Sequence, residues 1–138
     1  MAEVRVIHPS QFDSSTVQTP GMFREEGVGA KTVGAQRLWV GHVSVEKGVH
    51  SGPHNHGELE SAIYIIRGRA RFRYGDRLEN VVEAAAGDFV FVPPYIVHQE
   101  INASEDAAVE MVVARSSQEN VTVNVEVPGF PAVLPKQL

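Results

Sequence analysis

Residues 62–92 read AIYIIRGRARFRYGDRLENVVEAAAGDFVFV, and this stretch decides the fold class. Valine, isoleucine and aromatic residues dominate it, and much of it alternates with period two, as half-buried strands do. Gly75-Asp76 and Ala86-Gly87-Asp88 interrupt it with turn chemistry. The same rhythm extends both ways. LWVGHVSVE precedes it, and YIVHQEIN, AVEMVVARS and NVTVNVEV follow, with further turn signals at Glu46-Lys47-Gly48 and across residues 103–106. Short strands at even spacing, with no convincing amphipathic helix, predict an all-β sandwich or barrel. Arg67, Arg69, Arg71 and Arg73 alternate with Gly68, Ala70 and Phe72. Period-two charge reads as the solvated face of a strand, with glutamates such as Glu79 and Glu83 to pair with, rather than as an anion-binding face.

The chain of 138 residues suits one domain with its own core. The barrel is expected over residues 37–127. An N-terminal arm (1–36) contains a polar, glycine-dotted segment, and a tail (128–138) is rich in proline. With 43% hydrophobic and 21% charged residues the composition is that of an ordinary globular protein. No apolar run approaches the ~20 residues of a membrane span, and the first residues lack the pattern of a secretory signal. A cytoplasmic location with no membrane partner is the expectation. A formal charge of −5 argues against nucleic acid. The absence of cysteine excludes disulfides, thiolate metal sites and cysteine nucleophiles. Any metal must be held by histidine, carboxylate and water.

HNHGELESAIYIIRG (residues 54–68) carries that possibility. In an extended strand His54 and His56 face the same way, so one rigid element can give two imidazole nitrogens to one ion. His98 in GDFVFVPPYIVHQEIN (residues 87–102) can supply a third. With a carboxylate, four positions around a divalent metal are filled; in an octahedral site two stay open for substrate, water or dioxygen.

Residues 48–102 resemble the cupin superfamily. The first cupin motif places HxH five residues after a glycine, then a glutamate, then a second glycine; Gly48, His54-Asn55-His56, Glu60 and Gly68 match it. In the second, a glycine is followed by Pro-x-Gly, histidine and asparagine; Gly87, Pro93-Pro94-Tyr95, His98 and Asn102 match it, with Tyr95 in place of the motif's second glycine. The resemblance implies a double-stranded β-helix (jelly-roll) barrel and one divalent transition metal (iron, manganese, nickel, copper or zinc) on His54, His56, His98 and a carboxylate. Glu60 has the expected spacing from His56, but counting back from Gly68 the acid slot falls on Ser61. Glu60, reached through a strand bulge, is the favoured fourth ligand. Glu58, a site of three histidines alone, and Glu100 are the alternatives.

Glu100 lies two residues after His98, and a regular strand would turn it inward, where a carboxylate must be paired or chemically employed. It and Tyr95 are the candidate proton carriers. A tyrosine at residue 95 fits if the turn there needs no positive φ. Trp39, Tyr64, Phe72, Phe91 and Tyr95 are candidate walls of a pocket, about half of them inside by strand alternation. His8, His42 and His50 carry little weight as ligands.

The functional expectation is a mononuclear non-haem metalloenzyme acting on a small oxygen-containing organic substrate, by dioxygenase-like oxidation. A Lewis-acid isomerase or cyclase, and a non-catalytic small-ligand or sensor module, are the alternatives. Small cupins commonly pair, so a homodimer is expected, with the N-terminal segment and the tail as exchange arms.

Overall fold

The computed structural model describes residues 2–119 and 121–132. Among the described residues, ten strands form two antiparallel five-stranded sheets packed face to face. The first sheet runs in the order β1 (Met22–Val28), β2 (Trp39–Val45), β9 (Val109–Arg115), β4 (Ser61–Arg67) and β7 (Phe89–Val92). The second runs β10 (Val123–Asn124), β3 (His54–Asn55), β8 (His98–Asn102), β5 (Arg69–Tyr74) and β6 (Asn80–Ala85). Helical structure among the described residues is one turn at Ala30–Val33 and a 3-10 turn at Pro9–Gln11. No helix among them is long and apolar enough to cross a membrane.

Alternation builds the core. Trp39, Gly41, Val43 and Val45 of β2 are buried and the residues between them are not. In β4, Ser61, Ile63 and Ile65 point in while Ala62, Tyr64 and Ile66 point out. Met22, Phe72, Val92, Val109 and Met111 complete the main cluster between the sheets. A smaller cluster of Leu78, Val97 and Val127 holds the C-terminal segment, with Val125 and Phe130 packed on it. Of the proline-rich tail, residues 133–138 lie outside the described residues.

Two boundaries differ from the sequence reading. YIIRGRARFRY is two strands, not one: Gly68, at φ +88°, turns the chain so that β4 and β5 join different sheets. A side chain there would also meet the Ala108 carbonyl at 3.0 Å, so only glycine turns this corner without strain. The first sheet also begins earlier than residue 37. Residues 22–28 pair along β2, and Asp13 bridges to Glu26, so this part of the arm lies against its own barrel. Half-exposed and carrying charge, β1 lacks the apolar pattern that marks the inner strands.

The arginine row is solvated and paired as a surface face should be. Glu83 receives Arg71 at 2.8 Å and Arg69 at 3.5 Å, and Glu110 receives Arg67 at 3.0 Å.

A candidate metal centre

His54 and His98 are direct cross-strand partners between β3 and β8, so the register sets their imidazoles side by side. The ring centroids of His54, His56 and His98 lie 4.4 to 5.1 Å apart. Each ring is held by its Nδ1. His54 reaches the Gly52 carbonyl at 2.7 Å, His56 the Val121 carbonyl at 2.8 Å and His98 the Ile96 carbonyl at 3.1 Å. A carbonyl only accepts, so each Nδ1 carries the hydrogen and Nε2 is the nitrogen left to coordinate. One potential ligand atom from each histidine and from Glu100 all lie within 4.8 Å of one another.

The donor set fits a metal ion. His98 Nε2 is buried and has no hydrogen-bond partner among the described residues; the nearest Glu100 oxygen stands at 3.7 Å, beyond hydrogen-bond reach. Leaving such a nitrogen unsatisfied costs about 1–3 kcal/mol, and coordination removes that cost. Burial, then the charge of His98, lowers the His54 pKa to about 4, so this imidazole is neutral and ready to coordinate at pH 7. Burial pushes His56 the same way. Burial alone would raise the Glu100 carboxyl, but nearby His98, then His54 and Arg24, outweigh it and hold the group at about 2. Three imidazoles and one carboxylate suit a divalent transition metal, with iron, manganese, nickel, copper and zinc all compatible.

Glu60 stands apart from this cluster, which corrects its expected place. Strand β4 starts at Ser61, and alternation sends Ser61 into the barrel and leaves Glu60 exposed. Glu60 is instead tied through its backbone to Ser116, whose Oγ accepts its N–H at 3.1 Å. Glu58 is exposed as well. The carboxylate in the cluster is Glu100, which pairs across to Phe72 and shares its inward face. Asn102, the other inward residue of β8, braces a turn by donating to the Val45 and Ala107 carbonyls.

Tyr95 is corrected too. It is 68% exposed and does not line the cavity beside the histidines. Its φ is +60°, so the turn does require the left-handed conformation that glycine adopts freely. Its N–H donates to the Gly57 carbonyl at 2.7 Å, pinning the loop after the histidine pair to the loop before β8. His50 bonds to the Ser51 carbonyl and to Gln99, and His42 sits beside Glu110 at 3.9 Å; neither joins the cluster. His8 is exposed.

The quartet opens on a cavity of about 500 Å³ between the sheets. Val43, Ile63, Val92 and Val113 give it apolar walls, and Thr16, Val17 and Thr19 of the N-terminal segment contribute to its lining. Of the five aromatic candidates Trp39 lines the cavity, Phe72 is core, and Tyr64, Phe91 and Tyr95 are exposed. Arg24 and Arg115, which the sequence did not single out, line it as well. Their inward direction follows from pairing: Arg24 opposes buried Val43, and Arg115 opposes buried Trp39 and Ser61.

Several known proteins resemble the chain. A polyketide cyclase, RemF from Streptomyces resistomycificus, superposes with a TM-score of 0.74 at 18% identity, over 94% of this chain and 90% of that one. An uncharacterised protein with a double-stranded β-helix domain from Klebsiella pneumoniae gives 0.68 at 17% identity, over 90% of this chain and 99% of that one. Oxalate decarboxylase of Bacillus subtilis gives 0.66 at 19% identity, over 76% of this chain but 28% of that one. At these identities the likeness speaks for the fold. No curated protein matches by sequence. The sequence model of the cupin domain matches residues 41–114, more than half of the chain, and the two-sheet barrel agrees with it: the chain belongs to the cupin family.

Proposed function

We propose that the chain is a mononuclear metalloenzyme that oxidises a small oxygen-containing organic molecule in a dioxygenase-like reaction. The observation that carries this reading is the convergence of three Nε2 atoms and the Glu100 carboxylate on the wall of a cavity sized for a small molecule. A bound redox-active ion such as iron would supply electron transfer toward dioxygen, and zinc would supply Lewis acidity alone. The chain's own part is to hold the donors and exclude water. Hydrogen bonds to the Gly52, Val121 and Ile96 carbonyls fix the imidazole orientations, and Thr16, Val17 and Thr19 lie over the cavity from the N-terminal side. Glu100 takes the fourth position that the sequence reading assigned to Glu60.

A second reading is redox-neutral cyclisation or isomerisation. It is favoured by the likeness to a polyketide cyclase along nearly the whole length of both chains. Elemental analysis of protein from its native host separates the readings when combined with oxygen-uptake assays on a panel of small enols, phenols and carboxylic acids. One transition metal per chain, lost in the His54→Ala, His56→Ala double variant, is the expected result. Iron with oxygen-dependent turnover supports oxidation. Zinc with turnover unchanged under anaerobic conditions supports the Lewis-acid reading. Bound metal without turnover supports a binding or sensor module, and wild-type protein devoid of metal refutes the metalloenzyme reading.

A further inference from the structure

The wall facing the histidines is basic. Arg24 on β1 and Arg115 on β9 both line the barrel interior, where the same face of β9 carries Val109, Met111 and Val113 and that of β1 carries Met22 and buried Glu26. Inward arginines are expensive unless they meet a negative charge. Both are held in place. Buried Gln18 brackets the Arg24 backbone, accepting its N–H at 2.7 Å and donating to its carbonyl at 2.8 Å. The Arg24 guanidinium donates to Thr19 Oγ1 at 3.1 Å, and among the described residues no carboxylate lies within salt-bridge distance of it. The Arg115 guanidinium stacks 3.8 Å from the centre of the Trp39 ring. That ring in turn lies across Gly41, where a Cβ would come within 2.3 Å of it. Glycine at residue 41 is what lets the ring lie flat and carry the guanidinium.

We infer that this cavity binds a small organic acid by its carboxylate, gripped by Arg24 and Arg115. The apolar body of the acid lies against Val43, Ile63, Val92 and Val113, and an oxygen function is turned toward the His54–His56–His98–Glu100 quartet. This rests on the metal-centre reading only for the far end of the molecule. The charge balance supports it. Arg24 feels the Glu100 carboxylate and Arg115 that of buried Glu26, and a divalent ion held by the quartet would leave the cavity wall with a net positive charge. An anion would relieve the repulsion between the arginines: burial and then the charge of Arg24 lower Arg115, and Glu26 opposes them. Planar guanidiniums match a carboxylate by paired hydrogen bonds, a geometry lysine cannot give.

The test uses the full chain loaded with zinc. Trp39 is the sole tryptophan and touches Arg115, so its fluorescence reports binding directly. The probes are phenylacetate and phenylacetamide, which share a shape and differ in charge. Phenylacetate is expected to bind saturably and at least tenfold more tightly than the amide. Arg24→Gln and Arg115→Gln should each weaken the acid at least tenfold, leave the amide within about twofold and leave the zinc content unchanged; Arg24→Lys should recover only part of the loss. Equal binding of acid and amide in the wild type, or no saturable binding at millimolar concentration, overturns the inference without recourse to any variant. The His54→Ala, His56→Ala variant separates this inference from the metal-centre reading. If it loses zinc but keeps charge-selective binding, the carboxylate sits on the arginines as inferred. If it abolishes binding while the arginine variants do not, the carboxylate sits on the metal and the inference falls while the metal centre stands. Charge-selective, arginine-dependent binding in a wild type that takes up no metal would uphold the inference and remove the metalloenzyme reading.

Discussion

Replacing Glu100 by glutamine tests which acid completes the centre. The exchange keeps the shape and removes one negative charge from among three imidazoles. A cation held by the quartet would sit beside the carboxylate, among ligand atoms that all lie within 4.8 Å of one another. Two unit charges about 4 Å apart interact by about 4 kcal/mol at an effective dielectric constant of ~20. If solvent and relaxation cancel half of it, about 2 kcal/mol remains, which weakens metal binding about thirtyfold. Glu60 is exposed and outside the quartet, so Glu60→Gln should leave affinity within about twofold. Competition of each variant against a chromophoric chelator measures both constants, and circular dichroism checks that the fold survives. A larger loss from Glu60→Gln than from Glu100→Gln would refute the assignment and restore the ligand that motif spacing suggests. Equal and negligible losses would leave a centre of three histidines.

Three further outcomes are expected. Metal-free protein should lose stability as pH falls from about 6.5 to 4. His54 is depressed from 6.5 to about 4 in the folded chain, so the unfolded chain binds the proton first, and the shift amounts to about 3 kcal/mol; denaturant titrations at several pH values should show this slope, and His54→Asn should flatten it. Gly41→Ala should destabilise the chain by about 1–3 kcal/mol, since the new methyl meets both the Trp39 ring and the Glu25 carbonyl, which cannot move aside together; a shifted Trp39 emission maximum and a lower thermal midpoint would report it, and an unchanged spectrum would refute the ring placement. A homodimer is expected, with Phe89 and Phe91 of the edge strand β7 exposed at 78% and 61% and Tyr64 stacked beside Phe89; light scattering that gives the mass of one chain would count against it.

What could be read in the sequence follows period-two logic, and what could not lies where that logic breaks. The HxH spacing of His54 and His56, and the place of His98 in a later strand, suffice to bring three candidate ligands together. The count back from Gly68 also pointed to the inward residue, Ser61. The error was chemical: an acid was sought on the strand that follows the histidine pair, and a one-residue slip there exchanges inside for outside. The acid that reaches the cluster comes from β8 instead, two residues past His98, and parity alone had offered it as an alternative. Tyr95 misled because a positive φ at a non-glycine residue leaves no mark in the sequence. Arg24 and Arg115 were invisible for a different reason. An arginine in a polar edge strand, or at the last residue of β9, looks like solvated charge until its cross-strand partners are known to be buried.

The division between these two sets of residues has a functional meaning. The four candidate ligands lie within residues 41–114, the part that matches the cupin domain. His54 and His98 even share one local design, each donating Nδ1–H to the carbonyl two residues earlier, on neighbouring strands that pair side by side. Those carbonyls accept from the rings where the ladder is interrupted: Gly52 lies between the Ser51–Glu100 backbone bond and the two-residue β3, and β8 begins at His98 itself. The irregular backbone before each histidine is therefore the device that sets its tautomer. His56 is held differently. Its acceptor, Val121, comes from the segment leading into β10, and Thr122 and Asn124 of that segment also line the cavity. Arg24, Arg115 and the Thr16–Thr19 stretch likewise fall outside the matched region. The matched core thus carries the candidate metal-binding quartet, while Val121 orients His56 from outside it and the cavity's arginines lie on β1 and at the last residue of β9.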